Sequence, residues 1–299
     1  MPSCICAEGG GRFEYLRERT QEKGAVKVPL LRSPRPAGAL RHRLFAIGPL
    51  VVLVFNSLKS NAEIGRNPLG PPLSPVFENF PTAWTEGNFA TTLINSTILT
   101  TGTVVGVCII SGTAAYAMAR LDLPGTDAVL LYLFVASALP FQLFLVPLFF
   151  LWSTLQLTNT LFGLVVIYWA IFSPFATLLL RSYLVALPRG FEDAARVDGA
   201  NELQVLTRVV LPLSWPGFLT IALVSGLGAW NEFFFAITFI QDENLKPVTT
   251  SFLAFRSNFS QDWGLTSAAS IIMILPVVIL FLGLQRRFIN GLTAGGLKG

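Results

Sequence analysis

Residues 161–180 read LFGLVVIYWAIFSPFATLLL, a run of twenty residues that contains no charged side chain. A helix of roughly this length crosses the ~30 Å hydrocarbon core of a bilayer, and membrane helices tolerate internal glycine and proline better than soluble helices do. Five other apolar runs lie at residues 44–58, 91–119, 128–152, 215–240 and 265–284. The sequence therefore predicts an all-α membrane protein with six transmembrane helices, in a transmembrane domain that covers residues 44–290.

The composition agrees with a membrane protein and excludes several other classes. Hydrophobic residues make up 53% of the 299 residues and charged residues 13%, against about 25% charged residues in an average soluble domain. The single histidine, His42, cannot supply a histidine metal site or a catalytic triad. The three cysteines lack a second zinc-ligand pair, and no G-x-x-x-x-G-K-[ST] phosphate loop occurs. We expect no catalytic residue, metal or cofactor in this chain, and any ATP would have to be used by a partner.

The distribution of Lys and Arg predicts the orientation of the chain. An even number of spans puts both termini on one side, and seventeen of the 21 Lys and Arg residues then fall on that side. Because positively charged segments stay in the cytoplasm, both termini are expected there. The basic residues lie at the ends of the apolar runs and form no stripe interleaved with aromatic residues, which excludes a nucleic-acid partner.

Residues 1–43 form an N-terminal cytoplasmic segment that fits the first span poorly. The apolar run at residues 44–58 would cover only about 22 Å as a helix, and several basic residues precede it. Its distance from Met1 does not match a secretory signal peptide. We expect residues 1–43 not to be the native lead-in to the first span.

The second apolar run contains Gly102 and Gly106 in G-x-x-x-G spacing. Small residues at this spacing let another helix backbone approach closely. We expect tight helix packing along this face.

A polar, patterned loop separates the fourth and fifth apolar runs. Residues 187–212 read LPRGFEDAARVDGANELQVLTRVVLP. Pro188 suits the first turn of a helix, and Glu192 and Asp193 favour the positive N-terminal end of a helix dipole. These signals predict a short helix at the start of the loop.

Two further signals predict how this helix ends and a second one begins. Gly199 can adopt the left-handed conformation that ends a helix. Asn201, with Gln204 three residues later, matches a capping box. The loop is therefore expected to form a helical hairpin.

The hairpin has two interpretations from these residues alone. Ala194 and Ala195 leave one face of the first helix nearly without side chains, so its backbone could press into a groove of a partner. Glu192, Asp193 and Arg196 would then place charges at the rim. The alternative is a surface hairpin that stabilises only its own subunit.

The order Asp193-Ala194-Ala195, three residues, Gly199, nine residues, then Val209-x-Leu211-Pro212, resembles the E-A-A-x3-G-x9-I-x-L-P loop of ABC importer permeases. In that family the loop is a coupling helix that fits a cleft on the cytoplasmic ATPase subunit. Asp and Val here replace Glu and Ile, which keeps the charge sign and the apolar character. The resemblance implies an ATPase-coupling loop made of Glu192, Asp193, Ala194, Ala195, Arg196, Asp198, Gly199, Leu211 and Pro212.

The resemblance extends from residue 44 to residue 299 and points to carbohydrate importers. The motifs that carry it are FENF at residues 77–80, NS at 95–96, LPFQ at 139–142, LTNT at 157–160 and GAWNEF at 228–233. The cytoplasmic tail, residues 291–299, is similar to the tail of the maltose importer's G subunit, which inserts along the ATPase interface. Gly291, Thr293, Gly295 and Gly296 are the residues that this similarity assigns to the interface.

The resemblance implies a type I ABC importer permease fold with a cytoplasmic coupling helix. It also implies a second homologous permease, two cytoplasmic ATPase domains that bind ATP-Mg, an external solute-binding protein and a sugar substrate. Glycerol phosphate, a polyol or an amino acid is the alternative substrate. An ion-driven secondary transporter is the alternative class; it should show acidic relays and discontinuous helices in two repeats, whereas this sequence has one candidate intramembrane carboxylate.

That carboxylate, Glu232, lies with Asn231 toward the outer end of the fifth apolar run. Both residues are candidates for the translocation path or for contact with the external binding protein. A helix end at the interface, with Glu232 hydrated or paired, is the alternative. The aromatic residues near the span ends are expected to serve mainly as interface anchors, and no sugar ligand is assigned.

Overall fold

The computed structural model describes the backbone of residues 36–259 and 261–296 and the side chains of residues 47–259 and 261–283. Every regular element in this part of the chain is helical, which confirms the predicted all-α class. The helices are α1 (Pro36–Ser57), α2 (Asn61–Arg66), α3 (Asn79–Glu86), α4 (Phe89–Arg120), α5 (Thr126–Ala138), α6 (Leu145–Thr154), α7 (Leu161–Ala186), α8 (Gly190–Val197), α9 (Glu202–Asn231), α10 (Phe234–Phe239), α11 (Val248–Asn258) and α12 (Trp263–Gly296).

Contacts between residues divide the chain into two units, Met1–Pro49 and Leu50–Gly299. The helices α2 to α12 belong to the second unit. Of the first unit, the structure describes the beginning of α1, and residues 1–35 lie outside the described part of the chain. The expectation about the origin of residues 1–43 therefore stays a prediction.

Four described helices are long and apolar enough to cross a membrane: α4, α7, α9 and α12 over Trp263–Gly283. The bent pair of α5 and α6 makes a fifth span if it is counted as one. In α1, the described apolar stretch Ile47–Ser57 is shorter than a span. By length and composition, the predicted count of six is therefore not reached within the described residues.

The third apolar run, residues 128–152, does not form the single straight span that we expected. It bends by 88° between Ala138 and Phe141. Leu139 is extended, with ψ of 136°, and Pro140 follows it. A proline disfavours the helical conformation of the residue before it and cannot donate a backbone hydrogen bond, so the helix ends there and resumes in a new direction through the 3₁₀ turn Phe141–Phe144.

The fifth span also differs from the expected range of residues 215–240. The helix begins at Glu202 and ends at Asn231, and α10 follows as a separate element. A π-helical segment, Leu206–Val210, lets the helix continue through Pro212, and the Leu211 N–H donates to the carbonyl of Leu206, five residues back. Such a bulge accommodates the missing proline N–H without ending the helix.

At the centre of the bundle, α4 packs along α7, and α9 packs against both. A Cβ at Gly106 would overlap the Trp169 indole. The Trp169 Nε1–H donates to the Gly102 carbonyl at 2.9 Å. The predicted close approach at Gly102 and Gly106 is confirmed, with an indole side chain rather than a bare backbone filling the space.

Helix α12 continues as far as Gly296 and includes the four tail residues that the sequence assigned to an interface. The side chains of Gly291, Thr293, Gly295 and Gly296 lie outside the described residues, as do residues 297–299 altogether. Their role stays a prediction.

Candidate functional site

The loop between α7 and α9 folds as the expected hairpin. Helix α8 begins at Gly190, two residues after Pro188, so this proline precedes the first turn instead of lying in it. At the other end Gly199 is left-handed, with φ of +86°. The N–H of Gly199 donates to Arg196 O, and the N–H of Ala200 donates to Ala195 O, each at 3.0 Å. These two bonds form a Schellman motif, which confirms the predicted role of Gly199.

The start of α9 is fixed by the predicted capping box. The Asn201 side chain accepts from the Gln204 N–H at 2.9 Å, and the Gln204 side chain accepts from the Asn201 N–H at 2.9 Å. Two of the backbone donors at the helix start, those of Asn201 and Gln204, are thereby satisfied. The sharp turn between α8 and α9 is therefore defined by local interactions on both sides.

Glu192 does not lie at the rim of the hairpin, and that expectation is wrong. Its side chain is buried, and Oε1 lies 2.7 Å from Nε of Arg120, the last residue of α4. Arg120 also donates from Nη2 to the Leu187 carbonyl at 3.2 Å. Buried charges are normally paired. Here the nearer cation comes from another helix, and Arg196 of α8 itself lies 3.9 Å from Glu192 Oε2. The pair attaches α8 to the end of α4.

A second link joins the hairpin to α4 through Glu202, which Arg196 holds in place. The Arg196 guanidinium donates to both carboxylate oxygens of Glu202, at 2.8 and 3.2 Å, and to Asp193 Oδ1 at 3.2 Å. The Tyr116 hydroxyl donates to Glu202 Oε2 at 2.6 Å. The hydrogen bonds to Glu202 raise the pKa of Arg196 above its ordinary value, so this arginine stays charged. The ion pairs of Arg196 with Asp193 and Glu202 hold α8 and α9 at a defined angle.

Sequence reasoning missed Tyr116, Arg120 and Glu202 as parts of this site. Tyr116 and Arg120 are four residues apart, so they lie on one face of α4. That spacing at the end of an apolar run was the available signal. Their partners follow much later in the chain, beyond the reach of a local pattern.

The outward side of the hairpin is apolar. Phe191 is 59% exposed and Val197 88% exposed, with Ala194, also exposed, between them. Three-residue spacing places all three on one side of α8. We call Phe191, Ala194 and Val197 the apolar ridge. Exposed large apolar side chains grouped on a polar loop are typical of a protein–protein contact surface.

The two alanines of the motif do not share one role. Ala194 belongs to the apolar ridge, whereas Ala195 is half-buried and packs on the core of its own subunit. Asp198 is exposed beside the ridge. Leu211 and Pro212 lie in α9 after the π segment and do not reach the ridge face.

Glu232 and Asn231 lie at the far end of α9, opposite the hairpin, and their side chains do not converge. Glu232 is 7% exposed. Its carboxylate accepts from the Tyr168 hydroxyl at 2.9 Å and from the N–H groups of Phe235 and Ala236 at 3.0 and 3.1 Å. The exposed Asn231 bonds to the Leu227 carbonyl of its own helix. The geometry is that of a helix end with a fully hydrogen-bonded carboxylate; a role in the translocation path stays a prediction.

The segment after α10 is fastened at the same end. Asn159, in the LTNT motif, accepts from the N–H groups of Gln241 and Asp242 at 2.9 and 2.8 Å, and its own N–H donates to Phe239 O at 2.7 Å. We call residues 239–248 the far-end segment. Its backbone is held by side chains, so it is not a loose loop.

A cavity of about 590 Å³ opens at the bend between α5 and α6, against α7 and α9. Its wall is mostly aliphatic and includes six aromatic side chains: Tyr132, Phe141, Phe144, Phe172, Phe175 and Phe235. Among the side chains that the structure describes, no group of three His, Cys, Asp or Glu residues could hold a metal.

Comparison with known proteins agrees with this arrangement. Residues 111–293 match the family model of the binding-protein-dependent transport system inner membrane component. The probable ABC transporter permease protein YurM of Bacillus subtilis is 36% identical over 251 residues, which cover 84% of this chain and 83% of that protein. The sulfoquinovosyl glycerol transport system permease protein SmoH of Agrobacterium fabrum is 34% identical over 252 residues, 84% of this chain and 88% of that protein. The arabinooligosaccharides transport system permease protein AraQ of Halalkalibacterium halodurans is 32% identical over 258 residues, 85% and 92% of the two chains.

A solved structure shows the same fold. A chain from the crystal structure of a bacterial ABC transporter involved in the import of the acidic polysaccharide alginate superposes with a TM-score of 0.72 at 23% identity, covering 94% of this chain and 100% of that chain. The predicted fold and resemblance are confirmed. This chain belongs to the binding-protein-dependent transport system inner membrane components, the multi-pass permeases of ABC importers.

Proposed function

We propose that this chain is the permease subunit of an ABC importer that carries a sugar across a bacterial cytoplasmic membrane, with both termini in the cytoplasm. The names of its relatives support a sugar, since they include transporters of arabinooligosaccharides and sulfoquinovosyl glycerol. The cavity beside α7 supports it too, because the six aromatic side chains in its mostly aliphatic wall offer rings for stacking on the apolar faces of sugars. Import of glycerol phosphate, a polyol or an amino acid by the same architecture is the second candidate.

The partners in this proposal are a second homologous permease, two cytoplasmic ATPase domains and an external solute-binding protein. The family's description as binding-protein-dependent supports the last of these. ATP-Mg would bind to the ATPase, and this chain would contribute neither a catalytic residue nor a cofactor. Its work on the substrate is conformational.

The observation that carries the coupling role is the apolar ridge of α8. The ridge is exposed, while the charges behind it are occupied in fastening the hairpin to α4. A small residue, Ala194, at the centre of the ridge lets a partner surface approach the α8 backbone closely. We assign the ridge to the ATPase cleft, so that closure of the ATPase moves the hairpin.

The tail residues Gly291, Thr293, Gly295 and Gly296 are proposed to add a second ATPase contact. Asn231 and Glu232 are proposed to lie beside the translocation path. For Glu232 the effect would be indirect, since its carboxylate is fully hydrogen-bonded by Tyr168 and two backbone N–H groups.

Copurification tests the coupling role. The chain is expressed with its second permease and ATPase, and ATPase recovery is compared at matched membrane abundance. Ala194→Asp adds volume and an unpaired charge to the ridge and should lower ATPase recovery at least about tenfold. The matched control is Leu123→Asp, an exposed apolar residue in the neighbouring connection from α4 to α5. Unchanged ATPase recovery with Ala194→Asp would show that the hairpin stabilises only its own subunit.

A further inference from the structure

Helix α4 differs from the other long helices of the described chain in having no proline. Prolines interrupt α7 at Pro174, α9 at Pro216 and α12 at Pro276, and the α5–α6 pair is bent. The 32 residues of α4 form one unbroken helix, which at 1.5 Å per residue is about 48 Å long. Helices with internal proline kink or flex at that point. Of the long helices, α4 is therefore the best suited to act as a rigid rod.

At one end, side-chain hydrogen bonds and an ion pair join α4 to the hairpin. The chain itself connects the hairpin to α7 and α9, whereas α4 is far away in sequence. Arg120 pairs with Glu192 in a buried contact, and Tyr116 donates to the half-exposed Glu202. Arg189 also donates to the Ala119 carbonyl at 3.3 Å. These links reach both α8 and the start of α9, so a shift or rotation of the hairpin moves α4 or breaks contacts with it.

At its other end, α4 holds the far-end segment in the same way. Asn95 donates from Nδ2 to the carbonyls of Asn244 and Lys246, at 2.8 and 3.1 Å. Ser96 accepts from the Val248 N–H at 2.8 Å. Asn95 and Ser96 are both buried. Three hydrogen bonds therefore tie the backbone of the far-end segment to the first turns of α4.

We propose that α4 transmits movement of the hairpin to the far-end segment as one rigid element, with Arg120 and Asn95 as the positioning residues at its two ends. This rests on the proposed function, in which an ATPase moves the hairpin. Asn95 and Arg120 are 25 helical steps apart, which is about 37 Å. A rigid element fastened at both ends biases both sites together, which is what coupling at this distance requires.

The test measures a distance at the far end while ATP is used at the hairpin end. Spin labels replace Glu243 and Leu69, both exposed, on a background in which Cys4, Cys6 and Cys108 are changed to alanine. The distance distribution between the labels is recorded for the complete importer, without nucleotide and after trapping with ADP and vanadate. We expect the trapped wild type to shift its distribution, and both Arg120→Gln and Asn95→Ala to lose most of that shift.

Two further variants make the result specific. Thr113→Ala removes an α4 hydroxyl that is exposed and bonds only within its own helix, so the shift should be retained. The double variant Arg120→Gln/Asn95→Ala should lose no more of the shift than the more affected single variant, because both changes break one linkage. Independent sites this far apart would instead add their effects.

ATPase copurification, measured on the same samples, separates this inference from the proposed function. Failure of the wild type to retain an ATPase would contradict the proposed function. Retention of the ATPase with a full distance shift in both Arg120→Gln and Asn95→Ala would overturn the proposal that α4 transmits the movement. If Arg120→Gln assembles poorly, the exchange Arg120→Glu/Glu192→Arg restores opposite charges at the same contact. This exchange should recover both ATPase retention and the distance shift. Recovery of ATPase retention without the distance shift would also contradict the proposed role of α4.

Discussion

Arg120 and Glu192 form an ion pair between α4 and α8 with 2.7 Å between Nε and Oε1, and their side chains are only 2% and 4% exposed. Such a pair contributes less to stability than its Coulomb energy suggests, because both charges lose their hydration. Removing one partner is a different matter, since it leaves the other charge buried without its closest counter-charge. The pair therefore acts mainly to fix where the hairpin lies.

Loss of Arg120 should destabilise the subunit strongly. Arg120→Met leaves the buried Glu192 with only the partly exposed Arg196, 3.9 Å from Oε2, as a cation. It should lower the free energy of unfolding by up to about 3–5 kcal/mol, whereas Arg120→Met/Glu192→Met should recover much of it. Unfolding in detergent, followed by circular dichroism, measures both. The control is the Lys246–Glu243 pair, whose glutamate is 78% exposed; breaking it should change stability by less than about 1 kcal/mol. Equal losses of stability at the two pairs would contradict the burial of the Arg120–Glu192 pair.

Gly199 should matter for coupling beyond its effect on stability. Gly199→Val forces a β-branched residue into a left-handed conformation, at about 1–2 kcal/mol, and turns α8 relative to α9. Gly125 is the matched control because it has φ of +82° and, like Gly199, open space where a Cβ would lie. Gly125→Val should lower stability similarly but leave ATPase recovery unchanged, and Gly199→Val should reduce it. Equal ATPase recovery for the two variants would exclude a specific role for Gly199.

Substitutions of the neighbouring residues Glu232 and Asn231 should have very different effects on the free energy of unfolding. Glu232→Ala removes the acceptor for three hydrogen bonds and should destabilise the subunit by several kcal/mol, since each buried donor left unpaired costs about 1–3 kcal/mol. Tyr168→Phe removes one of these bonds and should have a smaller effect. Asn231→Ala, at an exposed position, should stay within about 0.5 kcal/mol of the wild type. A stable Glu232→Ala subunit would contradict the capping role of this carboxylate.

Adding even a methyl group at Gly106 should weaken the packing of α4 against α7. Gly106→Ala overlaps the Trp169 indole and should destabilise the subunit by about 1–3 kcal/mol through overpacking. Gly283→Ala serves as the control because nothing lies within 4 Å of the added Cβ. Thermal unfolding of the two variants in detergent makes the comparison, and similar midpoints would argue against close packing of these helices.

The parts of the fold that follow from neighbouring residues were predictable from the sequence. The left-handed Gly199 and the Asn201–Gln204 capping box each depend on residues within one or two turns, and both form as expected. The bend at Leu139-Pro140 also depends on neighbouring residues, but we did not predict it, because the residues on both sides of it are apolar and together predict one span. Hydrophobicity alone does not distinguish one span from two helices at an angle.

The parts that depend on distant partners were not predictable. From the sequence alone, Glu192 is interpreted as a charge at the rim of the hairpin, because its ion pair with Arg120 is not visible there. Glu232 is likewise interpreted as an interfacial carboxylate, because its hydrogen bond from Tyr168 is not visible there. The exposure of Phe191 and Val197 was likewise hidden, because a spacing of three residues is equally typical of a face that packs on its own core. In each case the deciding contact is between helices, and one sequence does not contain that information.

Photo-cross-linking from the apolar ridge shows whether the ridge contacts the ATPase. A benzophenone amino acid replaces Val197, the most exposed ridge residue, and Leu123 serves as the off-ridge control. After irradiation of the assembled importer, we expect a covalent adduct between this chain and the ATPase from position 197 and none from position 123. Absence of an ATPase adduct at position 197, or equal adducts from both positions, would contradict the assignment of the hairpin as the coupling element.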